Sequence, residues 1–227
     1  MRMTLQSNLL KYMFRNVYFI NGTAYAGKST MVRMLAEAHD GICCGENYHN
    51  VLMEAIDEKN QPNLSYFDTM KDWQEFVNRT PEEYARWISG CSEEATELEL
   101  IRLLQLTVQE KKIFVDTNIS CEALKEISDY RRVAIMLAPQ STSVDRFFDR
   151  ADAEKQFILK QIQMAEHPEQ TMQNYRKCLE KINSIEVYRA FEASGFFTLQ
   201  RDDSRTPQQT MALLERHFGL ASQEESK

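Results

Sequence analysis

The sequence predicts an α/β fold in which helices cover both faces of a parallel β-sheet. Short runs of apolar residues alternate along the chain with longer segments of helical periodicity, the pattern of strands joined by crossover helices. The runs are almost continuously apolar, as expected of strands that are buried on both faces. We predict strands at Val17–Ile20, Gly41–Cys44, Ile113–Val115, Val133–Leu137 and Phe196–Leu199.

The composition is that of one ordinary globular domain. The 227 residues suffice to bury a sizeable core, and 43% of them are apolar and 27% charged. We therefore expect a single domain over residues 1–227. The formal net charge of −7 argues against a nucleic-acid partner, because binding to phosphate backbones needs clustered Lys and Arg. The sequence leaves a homodimer open.

The cysteine and hydropathy patterns predict a cytoplasmic protein. None of the five cysteines belongs to a C-x-x-C pair, which favours free thiols in a reducing compartment, with a reactive cysteine as the alternative. Met1–Asn16 has no apolar core long enough for a secretory signal. The longest apolar run, Val133–Ala138, is far too short to cross a bilayer. We expect no membrane partner.

A helical insertion is predicted between the second and third strands. Over sixty residues separate them, which is too many for one crossover. Thr80, followed by Pro81 and Glu83, has the pattern of a helix start with a capping box. Ala95–Val108 is apolar around most of its circumference, as expected of a helix between two layers. We predict an insertion over Val51–Lys111 that lies beside the sheet on the substrate side.

Helical patterns also fill the C-terminal third of the chain. Two of them, Glu154–Glu166 and Thr171–Ala193, flank a break at His167-Pro168. Thr206-Pro207 predicts the start of a last helix, and Gly219 is its expected end.

The segment Gly22-Thr-Ala-Tyr-Ala-Gly27-Lys28-Ser29 matches the P-loop pattern G-x-x-x-x-G-K-[ST]. The pattern arises by chance in roughly one chain in a hundred of this length. Here it directly follows a predicted strand and opens a helix predicted over Ser29–Glu37. Glycine permits the backbone angles and the close approach that let main-chain N–H groups surround phosphate oxygens. We predict that the chain binds ATP with Mg²⁺ through Gly22, Thr23, Ala24, Tyr25, Ala26, Gly27, Lys28, Ser29 and Thr30.

Three side chains have predicted roles at this loop. Lys28 is expected to reach the β and γ phosphates as a point charge, and the Ser29 hydroxyl to coordinate Mg²⁺. Asp116 ends the third predicted strand, where P-loop proteins carry a carboxylate that holds Mg²⁺, often through water. The alternative for Asp116 is a solvated aspartate in a turn.

The chain resembles the small-molecule kinases of the P-loop superfamily, which include nucleoside, nucleotide and shikimate kinases and chloramphenicol phosphotransferase. The features that carry the resemblance are the loop Gly22–Thr30, the acid in Gly45-Glu46-Asn47-Tyr48, and the stretch Pro139–Glu154 after the fourth strand. It implies a P-loop three-layer sandwich with a five-stranded parallel sheet of order 2-3-1-4-5. Ala24–Ala26 stands where nucleotide kinases usually carry a further glycine, and no specific subfamily is matched. The Asn-Lys-x-Asp motif of GTPases is absent from the sequence.

The resemblance also implies catalytic roles for three side chains. Glu46 falls at the position of the base that takes a proton from the acceptor hydroxyl, and a surface glutamate is the alternative. Arg146 and Arg150 fall in a lid over residues 140–166 that closes on the triphosphate and neutralises charge during transfer. The alternative is a solvated helix whose arginines pair with neighbouring aspartates.

The predicted function is therefore transfer of the γ-phosphate of ATP to a hydroxyl of a small molecule. The candidate acceptors are a nucleoside, a metabolite and an antibiotic, bound between the sheet and the insertion. Adenine is expected near the loop Arg201–Arg205, which follows the fifth strand. The alternative function is an ATP-binding switch or sensor that has no acceptor and reports nucleotide state to another protein.

Overall fold

The sheet has five parallel strands in the order β2-β3-β1-β4-β5, so the predicted fold class and strand order are confirmed. The computed structural model describes residues 6–145, 147–148, 153–201 and 204–221. The strands are β1 (Val17–Gly22), β2 (Ile42–Cys44), β3 (Ile113–Asp116), β4 (Val133–Leu137) and β5 (Phe197–Gln200). Each lies within two residues of its predicted bounds.

Helices precede, separate and follow these strands. The N-terminal half has α1 (Ser7–Met13), α2 (Lys28–Ala38), a 3₁₀ helix (Tyr48–Ala55), α3 (Tyr66–Thr69), α4 (Trp73–Val77) and α5 (Pro81–Thr107). The C-terminal half has α6 (Cys121–Ile127), a short 3₁₀ helix (Tyr130–Arg132), α7 (Gln140–Asp145), α8 (Ala153–Gln163), α9 (Pro168–Ile182), α10 (Ile185–Glu192) and α11 (Pro207–Phe218). None of these described helices is both long and apolar enough to cross a lipid bilayer.

The alternation of side chains along the strands produces three layers. In β4 every residue is buried, and its odd-numbered side chains join one core while Ala134 and Met136 join the other. The first core is completed by α1, α5, α6 and α10, and the second by α2 and α11. A sheet covered on both faces explains why its strands are continuously apolar in the sequence.

A third cluster of buried side chains lies outside the sheet and joins the helical insertion to α8 and α9. Its largest members are Phe76, Tyr84 and Tyr175. Several contacts hold the same elements together, among them the hydrogen bond from Gln74 Nε2 to the Gln161 carbonyl (3.0 Å). The insertion and the segment after β4 therefore pack against each other rather than lying apart.

The longest helix, α5, begins at the predicted cap. Thr80 accepts a hydrogen bond from the Glu83 N–H, and the Glu83 carboxylate accepts one from the Thr80 N–H at 2.8 Å, so both halves of the capping box are present. The helix then runs for 27 residues without a break. Its C-terminal half packs on the sheet through Leu103 and Leu106, and its N-terminal half belongs to the third cluster.

One predicted helix is wrong. Thr171–Ala193 was expected to form a single helix, but α9 and α10 occupy this segment with a break between them. Asn183 donates both its main-chain N–H and its side-chain amide to the Leu179 carbonyl, at 3.1 and 2.9 Å, and Ser184 then takes an extended conformation with ψ 162°. A side chain that bonds the preceding turn competes with continuation of the helix.

Candidate functional site

The loop Gly22–Thr30 lies at the carboxyl end of β1, in the middle of the sheet, and leads into α2. Gly27 precedes the first residue of α2 with φ +92°, and Gly22 has φ +130°, so both predicted glycines adopt the left-handed backbone region that favours glycine. Tyr25 is the one residue of this loop other than glycine with a positive φ, +63°. The first N–H groups of α2 have no partner within the helix, and they face the hollow that the loop encloses.

Neighbouring elements hold the loop in this shape. The Ala138 N–H donates to Thr23 Oγ1 at 2.7 Å, and the Ser143 hydroxyl donates to the Ala24 carbonyl at 3.1 Å. On the other side, Asn21 Nδ2 donates to the Ile119 carbonyl at 2.7 Å. The segments that follow β3 and β4 therefore fix the loop from both sides, which preorganises its main-chain donors.

Lys28, Ser29 and Asp116 meet at the mouth of the loop. The Ser29 hydroxyl donates to Asp116 Oδ2 at 2.7 Å, and Lys28 Nζ lies 3.7 Å from Asp116 Oδ1. Lys28 Nζ also donates to the Thr23 carbonyl at 3.2 Å. Asp116 is buried, with 5% of its surface exposed, so it is not the solvated turn residue that was its alternative.

These oxygens form a small site with few protein ligands. Ser29 and Asp116 supply a hydroxyl and a carboxylate, which are hard donors that suit Mg²⁺, an ion that commonly keeps several of its waters. Within the described residues there is no group of three or more His, Cys, Asp or Glu side chains arranged to hold a metal. The pair would fit a magnesium ion that arrives with a phosphate ligand.

Glu46 lies near this mouth, on the neighbouring side of the sheet. Cys44 pairs with Val115, so Glu46 follows β2 beside the residues that come directly after Asp116. Its side chain is exposed. The next residue, Asn47, has φ +60° and turns the chain into the 3₁₀ helix Tyr48–Ala55.

Arg146 and Arg150 lie outside the described residues. The segments on either side of them are described, and α8 brings a different cation toward the loop. Lys155 Nζ lies 5.5 Å from the centre of the Tyr25 ring and 5.2 Å from that of Phe147. Nothing in the sequence singled out Lys155, because its place beside the loop depends on how α8 packs.

A buried carboxylate, Glu99, also lies beside the site and was missed by the sequence analysis. It accepts hydrogen bonds from the Thr117 hydroxyl at 2.5 Å and the Tyr48 hydroxyl at 3.1 Å, and it is 1% exposed. Thr117 follows Asp116 and Tyr48 comes two residues after Glu46, so Glu99 connects the ends of β2 and β3. The sequence did contain a signal for this burial, because Glu99 is four residues from both Ala95 and Leu103 and so lies on the apolar face of α5.

Burial shifts the protonation equilibria of this cluster. It raises the pKa of Glu99 above the ordinary value, against the lowering effect of the hydrogen bonds from Thr117 and Tyr48, and the nearby Asp116 raises it further. Burial also lowers the pKa of His49, whose Nδ1 lies 3.8 Å from Glu99 Oε1, too far for a hydrogen bond. Burial therefore shifts both side chains toward their neutral forms relative to the same groups in water.

Glu99→Gln is expected to remove a pH-dependent loss of stability. With its pKa raised, folded Glu99 keeps its proton above the ordinary pKa of 4.5, so rising pH favours the unfolded chain, in which the carboxyl ionises more readily. The free energy of unfolding of the variant should therefore increase relative to that of the native chain as the pH rises above 4.5 toward neutral. Urea denaturation across this range measures the difference. Glu97→Gln, an exposed position on the same helix, is the control, and an equal gain there would contradict the assignment.

A cavity of about 370 Å³ lies on the opposite side of the loop, between α2 and the segment after β5. Met136 and Leu199 give it an apolar wall, while Arg201 donates from Nη1 to the Tyr25 carbonyl at 2.8 Å and so ties the segment to the loop. Arg205 also lines the cavity. An opening of this size is within the range of small-molecule sites. It lies where adenine was expected from the sequence.

No family model, no curated protein and no solved structure matches this chain. Its strand order is one that hosts many unrelated activities, so the topology alone does not select one. Function is therefore inferred from the side chains and main-chain groups at the carboxyl end of the sheet.

Proposed function

We propose that this protein is an ATP-dependent phosphotransferase that moves the γ-phosphate of ATP to a hydroxyl of a small molecule. The observation that carries the proposal is the convergence of Lys28, Ser29 and Asp116 at the mouth of a loop held by fixed contacts. A main-chain cradle, one ammonium group and a hydroxyl–carboxylate pair are the parts that phosphoryl transfer requires, because the chemistry depends mainly on positioning and charge stabilisation.

The nucleotide has a continuous binding surface in this arrangement. The phosphates occupy the hollow of Gly22–Thr30, and the base enters the 370 Å³ cavity next to it. The contacts of Lys28 are with a neutral carbonyl and with a carboxylate 3.7 Å away, so its ammonium can turn to the phosphates at little cost. Mg²⁺, held by Ser29 and Asp116, neutralises charge on the phosphate oxygens when it is bound.

The acceptor is expected on the β2 side of the loop, where Glu46 follows β2 and Glu99 bonds Tyr48, two residues further on. Glu99 is buried and engaged with Thr117 and Tyr48, so it holds the end of β2 in place and does not meet the acceptor. Glu46 is exposed and can reach a bound hydroxyl. In the reaction Glu46 accepts the hydroxyl proton, the acceptor oxygen bonds to the γ-phosphorus, and the bond from that phosphorus to the bridging oxygen of ADP breaks.

Glu46→Gln is expected to lower the turnover number by about a hundredfold or more, because general-base catalysis contributes a factor of that order. The affinity for ATP should not change, since Glu46 is not part of the phosphate loop. Initial rates of ADP formation with the acceptor, together with calorimetric titration of ATP, measure the two quantities. Glu54→Gln, also exposed and in the following 3₁₀ helix, is the matched control. Unchanged turnover in Glu46→Gln would remove Glu46 from the mechanism.

An ATP-binding switch is the second candidate function, and one observation favours it. Tyr12, Met13 and Val108 are 65%, 38% and 79% exposed and line one depression on the surface. These residues lie next to the starts of β1 and β3. The apolar area is therefore at the amino end of the strands, whereas the loop is at their carboxyl end. Exposed apolar areas of this kind can receive a protein partner.

An acceptor panel separates the two functions. ATP consumption is measured with Mg²⁺ in the presence of nucleosides, sugars, aminoglycosides and chloramphenicol-like alcohols. We expect one class to accelerate ADP formation and to gain a phosphate, detected by mass spectrometry. Slow hydrolysis that is indifferent to every acceptor would instead identify the switch.

A further inference from the structure

Arg79 occupies an unusual environment at the corner between α4 and α5. Its guanidinium carbon lies 3.9 Å from the centre of the Tyr66 ring and 5.3 Å from that of Trp87. The main chain is fixed at the same point, because Asn174 Nδ2 donates to the Arg79 carbonyl at 2.6 Å. The aromatic rings and the main-chain contact together hold the guanidinium plane in one orientation.

One nitrogen of this guanidinium, Nη1, is buried without an acceptor in the described part of the chain. The Tyr66 hydroxyl lies beside it and has the Arg79 guanidinium and the Glu75 carboxylate as its polar neighbours. The nearby Glu83 carboxylate is engaged by the N–H and hydroxyl of Thr80. A buried donor without an acceptor is costly and rare, so the Arg79 Nη1 atom favours a ligand that supplies the acceptor.

A cavity of about 380 Å³ opens at this corner. Arg79, the exposed Arg86 and Trp87 line it, and so do the carboxylates of Glu75 and Glu83. Its wall is rigid: Trp87 Nε1 donates to the Asn63 carbonyl at 3.0 Å, and the Glu94 carboxylate accepts from the Asn63 side chain at 2.6 Å. The cavity therefore combines fixed walls with two guanidinium groups, one of which has a nitrogen without an acceptor.

We propose that this cavity is a second ligand site that binds a small oxyanion, the phosphate or carboxylate group of a metabolite. A planar guanidinium that is already stacked presents paired N–H groups to two oxygens of such an anion, and Arg86 adds a second positive charge. The oxyanion supplies an acceptor where the described residues leave the Arg79 Nη1 atom without one.

This site is separate from the phosphate loop. Trp87 lies twelve residues before Glu99 in α5, which places it about 18 Å along the helix axis from the carboxyl end of β3. A ligand at Arg79 therefore does not receive the γ-phosphate directly. The corner is joined to α8 through the bond from Gln74 to Gln161, so a bound ligand stiffens the contact between the insertion and the segment after β4. The proposal stands independently of the proposed phosphotransferase activity.

Tryptophan fluorescence tests this site, because the chain has only two tryptophans and one lines the cavity. Trp73→Phe leaves Trp87 as the only indole. In this background the full chain is titrated with inorganic phosphate and, separately, with acetate, at constant ionic strength maintained with chloride. We expect a saturable change of Trp87 emission with one of the two anions, and the anion that binds identifies the group of the natural ligand. The absence of a saturable change with either anion would overturn the proposal.

Three substitutions in the same background locate the binding. Arg79→Gln is expected to weaken the anion about tenfold or more, the usual value of a charged hydrogen-bond pair. Arg79→Lys should recover only part of the loss, since an ammonium lacks the planar fork. Arg86→Gln, an exposed position at which misfolding is not expected, should weaken binding about threefold.

Two further variants test whether the anion binds elsewhere on the protein. Arg189→Gln removes one exposed positive charge from α10 and should leave the titration unchanged. Lys28→Ala should also leave it unchanged, because the phosphate loop is a separate anion site. Binding that is lost in Lys28→Ala and kept in Arg79→Gln and Arg86→Gln would place the anion at the loop and refute the second site.

Discussion

Replacing Lys28 with alanine is expected to reduce ATP turnover by at least about a hundredfold, the typical effect of removing one preorganised charge-stabilising group. Lys28 Nζ is held near the loop only by the Thr23 carbonyl and by Asp116. It is therefore the one cation among the described residues of Gly22–Thr30, and no neighbour in that segment replaces it. ATP affinity should fall by about tenfold or more, since a charged hydrogen bond to phosphate is lost.

Calorimetric titration of ATP with Mg²⁺ and the rate of ADP formation measure the two effects of Lys28→Ala. Lys111→Ala is the matched control, because Lys111 forms a surface ion pair with Asp40 at 3.1 Å and lies at the other end of β3. Its ATP binding should equal that of the native chain, as surface pairs of this kind contribute little. Circular dichroism confirms that each variant is folded. An unchanged heat of ATP binding in Lys28→Ala, or no heat in the native chain, would refute the nucleotide site.

Replacing Gly22 with alanine is expected to destabilise the fold by about 3 kcal/mol or more, from backbone strain combined with a steric clash. A Cβ atom at Gly22 would lie 1.9 Å from the Met136 carbonyl oxygen, and the neighbouring main-chain atoms are within 2.8 Å. Both partners belong to paired strands, β1 and β4, so neither can move without breaking the sheet. Since domains of this size are stable by only about 5–15 kcal/mol, the variant should unfold at clearly lower urea concentration.

Alanine substitutions at two other glycines distinguish the effect of backbone strain on stability from that of the steric clash. Gly219 has φ +68° but open space around its Cβ position, so Gly219→Ala should cost only about 1 kcal/mol, the expense of a left-handed alanine. Gly45 has open space and no left-handed φ, and Gly45→Ala should be close to neutral. Urea midpoints should therefore fall in the order Gly45→Ala, Gly219→Ala, Gly22→Ala. A Gly22→Ala protein as stable as Gly219→Ala would contradict the close approach of the two strands.

The sequence predicted the sheet because each strand carries its own local pattern. Val133–Leu137 is apolar at every position, and the structure buries all five side chains. The helix start at Thr80 and the helix end at Gly219 were also local signals, since a cap is decided by neighbouring residues. The loop Gly22–Thr30 was also predictable from local residues, because the spacing of its glycines sets the backbone angles directly.

The break between α9 and α10 shows where local patterns mislead. The apolar periodicity continues from Thr171 to Ala193, and only the bond from Asn183 to the Leu179 carbonyl ends the first helix. The same side chain can also remain in a helix interior. Whether Asn183 ends the helix or stays in its interior depends on how the following segment packs against the rest of the protein. Apolar periodicity carries no information on that packing.

The sequence by itself determined the sheet, the two glycines of the loop and the order of Lys28 and Ser29 within it, because these depend on residues adjacent in the chain. Tertiary structure alone decided the partners that come from distant segments. Asp116 meets Ser29 across 87 positions, and Glu99 joins the ends of two strands from a helix that packs against the sheet. The Arg79 Nη1 atom belongs to the same group, since its lack of an acceptor among the described residues is a property of packing in three dimensions. Contacts of this kind are fixed when the helices dock on the sheet, because they join residues that are far apart in the chain.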